Sequence, residues 1–160
     1  MLICFRGHLD YFDMFLRTYN IQSDHSSHVE AVQMLSERYP NEKRSENAVL
    51  ISKDGAAGKV KMPIAQRAIL QVHAVAKEID SLEDIALCHA IGQACGVVHT
   101  KGHALGFPIY ELTAIIRHCG VPECEKIVEE RKQQYIDRLY SWKEHYKDYP
   151  YEWADFMMKD

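Results

Sequence analysis

The chain lacks most of the signatures that announce a chemistry. It has no Cys-x-x-Cys pair, no glycine-rich phosphate loop, no Walker lysine and no nucleophile elbow. Its five cysteines (Cys4, Cys88, Cys95, Cys119, Cys124) are odd in number and irregularly spaced, which argues against a secreted disulfide scaffold. No apolar run reaches the roughly 20 residues that a membrane-spanning helix needs. The first residues, MLICFRGHLDYFD, carry Arg6 and Asp10 and no apolar core of signal-peptide length. A reducing, cytoplasmic location is expected. Excess positive charge is also missing. The net charge is −4, spread as −2 over residues 1–40, +1 over 41–120 and −3 over 121–160. No basic face for nucleic acid stands out, and a partner with a basic surface is weakly favoured.

What is present fits one soluble helical domain. The 160 residues are 47% apolar and 26% charged, enough for a single core without staples. Apolar residues recur at helical spacing in Leu9–Tyr19 (Leu9, Phe12, Leu16, Tyr19). Ser27-x-x-Glu30 is a capping box opening a second helix, which Pro40-Asn41 stops. A third helix is expected from about Asn41 to Ala57, with Gly58 as a left-handed stop. Pro63 suits the first turn of a fourth helix reaching Ile79, with Ile64, Ala68, Val72, Val75 and Ile79 as its buried stripe. Ser81-x-x-Asp84 opens a central helix expected to reach Thr100. Lys101-Gly102 then makes a turn before a helix ending at Cys119, whose true start Pro108 pushes toward Phe107. A last helix runs from Pro122 to about Lys147, with Val128, Tyr135, Leu139, Trp142 and Tyr146 as a heptad-like seam. The expectation is an all-α, irregular bundle of about seven helices over residues 1–160, with residues 148–160 an aromatic tail. Tyr149, Tyr151, Trp153 and Phe156 of that tail are expected to fold back over a bundle end.

The segment from Ile85 to Ala114 is the richest in chemistry-bearing side chains. It holds His89, His99, His103, Cys88, Cys95 and four glycines. A glycine inside a helix costs about 1 kcal/mol relative to alanine, so Gly92 and Gly96 call for a reason. At 100° per residue, Cys88, Cys95 and His99 fall within about 40° of one another, with Gly92 close and Gly96 beside them. The favoured reading is a helix-packing core of Gly92, Cys95, Gly96, His99 and His103, in which the small residues admit a neighbouring helix. A sharper alternative is a metal site, zinc first, using His99 and His103 one turn apart. A third ligand would come from His89, Cys95, His73 or Glu111, none of which the sequence marks out; a metal-binding reading takes His99 and His103 with either His89 or Glu111. No metalloprotease glutamate lies between His99 and His103. A Cys95 nucleophile with His99 as base is also conceivable, but the pair lacks an oxyanion hole. Glu83-Asp84 and Glu129-Glu130 read as solvated helix surface.

Two stretches resemble a known family. One is Tyr39-Pro40-Asn41-Glu42-Lys43-Arg44. The other is Ala90 to His99 followed by Gly102-His103-Ala104-Leu105-Gly106 and Tyr110. Together they are similar to the helical "putative immunity protein" family of bacterial polymorphic-toxin systems, over roughly Leu35 to Tyr140. The resemblance implies an all-helical cytoplasmic protein that binds and blocks a cognate toxin. It does not imply an enzyme, a cofactor or a known set of binding residues; that no nucleic acid and no membrane is a partner is expected from the charge and the lack of a long apolar run. The Leu9–Tyr19 helix and the tail after Lys147 lie outside it, and Pro108 departs from it. The rival functional readings are a small metal-binding protein or metal-dependent enzyme built on His99 and His103, and a scaffold that homo-oligomerises through its last helix or its tail.

Overall fold

A computed structural model describes residues 30–145 and 154–157. Among the described residues the chain is all-α, with six helices and no strand. These are α1 (Glu30–Arg38), α2 (Arg44–Ala56), α3 (Met62–Val75), α4 (Leu82–Gly96), α5 (Gly106–Cys119) and α6 (Glu125–His145). Short 3-10 turns occupy Lys101–Leu105 and Asp155–Met157. The expected Leu9–Tyr19 helix, Ser27 of the capping box, and Tyr149, Tyr151 and Trp153 lie outside the described residues. No helix among those described is long and apolar enough to cross a membrane.

Helix α4 sits at the centre because it is apolar on every side. Ala86, Leu87, Cys88, Ala90, Ile91, Ala94 and Cys95 are all buried, and α1, α2, α3 and α5 pack against it. Ile91 is fully buried, as are Val72 and Val75 of α3 and Val97 and Val98 just beyond α4. Each such aliphatic side chain contributes about 2 kcal/mol by leaving water.

The helix ends follow local chemistry. Ser81 caps α4 by accepting a bond from the Asp84 N–H at 3.2 Å. The Asp84 carboxylate does not close the box. It bonds instead to Arg38 and to the Tyr39 hydroxyl. Helix α4 stops at Gly96, short of the expected Thr100. The N–H groups of His99 and Thr100 both reach back to the Gly96 carbonyl, each at 3.1 Å, and Thr100 is extended. Helix α5 begins at Gly106, which leaves Pro108 in the first turn, where a missing N–H costs nothing. Gly58 and Gly120 take positive φ values of 71° and 78° beyond α2 and α5, a conformation costly for a residue with a side chain.

In α3 the buried set is Ala65, Ala68, Ile69, Val72 and Val75, while Ile64 is 46% exposed. The expected stripe was one residue out at its start. Close packing of α2 on α3 is the reason: a Cβ at Gly55 would sit 3.4 Å from the Ala65 Cβ, a spacing that admits alanine and excludes a longer side chain. On α6, Tyr135 is buried and Val128 is half-buried. Tyr146, the far end of the proposed seam, lies outside the described residues.

Candidate functional site

Helix α4 presents two adjacent strips to different neighbours. The first carries the cysteines. Cys95 is fully buried, and burial pushes its thiol up to about 12. Cys88 is also buried, and burial together with the nearby Asp84 carboxylate pushes it up to about 12. Neither sulfur ionises near neutral pH, and the thiolate is the nucleophile, so Cys95 serves as a small core residue rather than as a partner for His99 in catalysis.

The second strip carries Gly92 and Gly96, and histidine rings lie on both. A Cβ at position 92 would be 2.5 Å from His73 Cε1 and 2.6 Å from His73 Nε2. A Cβ at position 96 would be 2.9 Å from the Cγ and Cδ2 atoms of His103. Something therefore does lie close against both glycines. What approaches is a pair of imidazoles, one from α3 and one from the 3-10 turn, rather than a bare helix backbone.

Around these contacts the four histidines form two pairs. His73 and His89 face each other through their Nδ1 atoms at 3.0 Å, with ring centroids 5.2 Å apart. One ring must donate while the other accepts, which fixes opposite tautomers when both are neutral. Tyr110 of α5 packs its ring 5.1 Å from that of His89. The second pair is His99 and His103, with centroids 5.3 Å apart. His103 Nδ1 lies 2.7 Å from Gln93 Oε1, to which it donates. Burial lowers the basicity of His73, and its neighbours His89, His103 and Lys77 add to that effect. Burial likewise lowers His89, with the Arg117 charge adding.

This arrangement brings together some of the residues singled out above and separates others. His99 and His103 are adjacent, as their spacing implied. His89 is not with them; it lies about two helical turns before Gly96 and pairs with His73. Glu111 is also elsewhere. It is 4% exposed, accepts a hydrogen bond from the Tyr135 hydroxyl of α6, and stands 3.9 Å from Arg131 Nε. The proposed His89–His99–His103 ligand set is thus not assembled. Among the described residues no group of three His, Cys, Asp or Glu side chains is placed to hold a metal ion.

Sequence reasoning missed two features. Gln93, which orients His103, carried no signal beyond its place on α4. Asp84, which its charge and place in a helix first turn mark as solvated surface, is only 3% exposed. Its ligands, Arg38 and Tyr39, come from the end of α1. Arg38 also bonds Glu83 at 2.7 Å, and Arg44 bridges Glu42 and Glu78. The Tyr39–Arg44 stretch is therefore a corner that ties the α1–α2 connection to the α3–α4 connection. The sequence concealed this, because Glu78, Glu83 and Asp84 lie more than thirty residues from their partners in the corner.

Comparison with known proteins adds one finding. The family model described as "Imm-5 like putative immunity protein" matches residues 24–138, which span α1 to α5 and the first two thirds of α6. No curated protein and no solved structure matches the chain.

Proposed function

The chain belongs to the Imm-5 like putative immunity protein family, and from that membership we propose that it is a non-enzymatic protein that captures a cognate toxin and blocks it. The observation that carries this reading is the extent of the family match, which takes in both the Tyr39–Arg44 corner and the whole histidine strip of α4. On this reading those features are architecture. Cys88 and Cys95 are buried and un-ionised, and His73, His89 and His103 spend their ring nitrogens or ring faces on one another, on Gln93 and on Tyr110. A toxin would be met by the exposed helix faces. The net charge of −4 speeds the approach of a basic toxin in the cytoplasm of a bacterial host.

The test is a rescue assay. The product of the reading frame beside this gene is expressed alone and together with this protein, and surviving cells are counted. Killing by the neighbour alone, with growth restored on co-expression, is the expected result. Killing that persists on co-expression overturns the proposal for that partner.

A further inference from the structure

An open groove of about 780 Å3 lies where the α2–α3 connection meets the end of α4 and the C-terminal 3-10 turn. Val60 and Val98 form its floor, and Ala154 and Phe156 form its far wall. Lys59 and Lys61 stand on its rim.

The backbone holds this groove in shape. The N–H groups of Lys59 and Val60 both bond the Asp54 carbonyl, at 2.8 and 3.3 Å. The Ala154 N–H bonds the Ala56 carbonyl at 2.9 Å, and Met157 is 1% exposed, so the far wall is pinned to the end of α2. Lys61 is extended (φ −70°, ψ 141°). Val60 turns its side chain toward Gly55, where a Cβ would lie 3.9 Å from Val60 Cγ2. Lys59 and Lys61 are both exposed.

The charge of the groove is opposite to that of the chain. The protein carries −4 overall, yet among the described residues no aspartate or glutamate lines this groove. Neither Lys59 nor Lys61 has a carboxylate partner among the described residues. Asp155 lies between the two wall residues in sequence without lining the groove. Phe156 is 42% exposed, so an aromatic edge borders the apolar floor. Two exposed lysines beside apolar valines suit a carboxylate next to an apolar side chain. The volume falls in the upper part of the roughly 300–1,000 Å3 range of ligand sites, and the groove is open along one side, which fits an extended chain better than a small enclosed molecule.

We propose that this groove docks an acidic, extended segment of a protein partner, with a carboxylate held by Lys59 and Lys61 and an adjoining apolar side chain on Val60, Val98 and Phe156. The proposal rests on the reading that the chain works by binding another protein.

The experiment uses the full-length protein and a fluorescein-labelled peptide of alternating glutamate and phenylalanine, read by anisotropy. A peptide with glutamine in place of glutamate and a single-stranded oligonucleotide are the comparison probes. The K59E/K61E double variant is set against K126E/K132E, which makes the same charge change on α6, and circular dichroism verifies that both remain helical. The glutamate peptide binds the parent in a salt-sensitive way, and K59E/K61E weakens it by about tenfold or more, because two exposed ion pairs become two repulsions. The glutamine peptide binds comparably weakly, and K126E/K132E leaves binding within about twofold of the parent. Absent peptide binding, equal loss in the two double variants, unchanged binding by K59E/K61E, or tighter binding of the oligonucleotide each overturns the proposal. Carrying K59E/K61E through the rescue assay separates the two readings. Failure of the parent to rescue removes the toxin partner and leaves the peptide result standing.

Discussion

The ring of His73 occupies the space that a side chain at position 92 would fill, since a Cβ there would come within 2.5 Å of His73 Cε1. Replacing Gly92 by alanine sets two effects against each other. Alanine gains about 1 kcal/mol of helix propensity, and overpacking a filled core costs about 1–3 kcal/mol. The ring cannot simply step aside, because His73 Nδ1 is engaged with His89. Gly92→Ala is therefore expected to destabilise the protein by up to about 2 kcal/mol net in urea unfolding. Gly102→Ala is the control. Its Cβ would meet nothing nearer than the Thr100 Cγ2 at 4.0 Å, and its effect should stay within about 0.5 kcal/mol. Equal effects of the two substitutions would show that ring contact at Gly92 does not matter.

The same histidines set the response to acid. Burial holds the basicity of His73 and His89 below the ordinary histidine value of 6.5. In the window between that value and the lower folded values, the unfolded chain binds more protons than the native one. Stability is then complete above about pH 6.5 and declines as pH falls through the window. The melting temperature should drop between about pH 7.5 and pH 5, and His73→Gln combined with His89→Gln should shrink that drop. A variant whose melting temperature falls as steeply as the parent's would assign the acid sensitivity to other groups.

The sequence and the structure agree where a signal is local and part where it is not. Ser81, Pro63, Gly58 and Gly120 mark helix boundaries through their own backbone and side-chain chemistry, and those boundaries are found within a few residues of where they were expected. Gly92 and Gly96 likewise announced a close approach. The partner in that approach was not legible, since His73 lies nineteen residues before Gly92 and nothing in its own surroundings points to α4. His89 shows the limit most directly. It was a candidate third ligand beside His99 and His103, yet it pairs with His73 of α3. On α3 itself, side-chain size favoured Ile64 for the core, whereas tight packing against Gly55 selects Ala65.

Asp84 shows the same limit with a stability consequence. Its carboxylate is 3% exposed, accepts from Arg38 and the Tyr39 hydroxyl, and lies in the first turn of the central helix. The partner Arg38 is about one-third exposed, so water screens part of the attraction. Asp84→Asn keeps the shape while removing the charge. It should lower stability by about 2 kcal/mol, from weakened bonds to a charged donor and loss of a favourable charge at a helix start. Glu129→Gln, on the exposed face of α6, should change stability by less than about 0.5 kcal/mol. Urea unfolding of both variants decides whether Asp84 belongs to the core or to the solvated surface.

Helix α6 offers the last test, because one buried polar contact helps fasten it to the bundle. The Tyr135 hydroxyl donates to Glu111, and its ring meets Phe107 edge-on with centroids 6.1 Å apart. Tyr135→Phe keeps the ring contact and deletes only the donor, leaving Glu111 with Arg131 Nε at 3.9 Å. A buried carboxylate that loses a donor costs about 1–3 kcal/mol. Local openings draw on the weakest attachments of a fold, and α6 packs on α5 with a mostly exposed surface. Hydrogen exchange should therefore accelerate across the α6 amides in Tyr135→Phe, while the α4 amides keep most of their protection. Adding Glu111→Gln should produce less than the sum of the two single effects, since both remove the same bond. Uniform acceleration across α4 and α6 would mean instead that α6 unfolds only with the whole bundle.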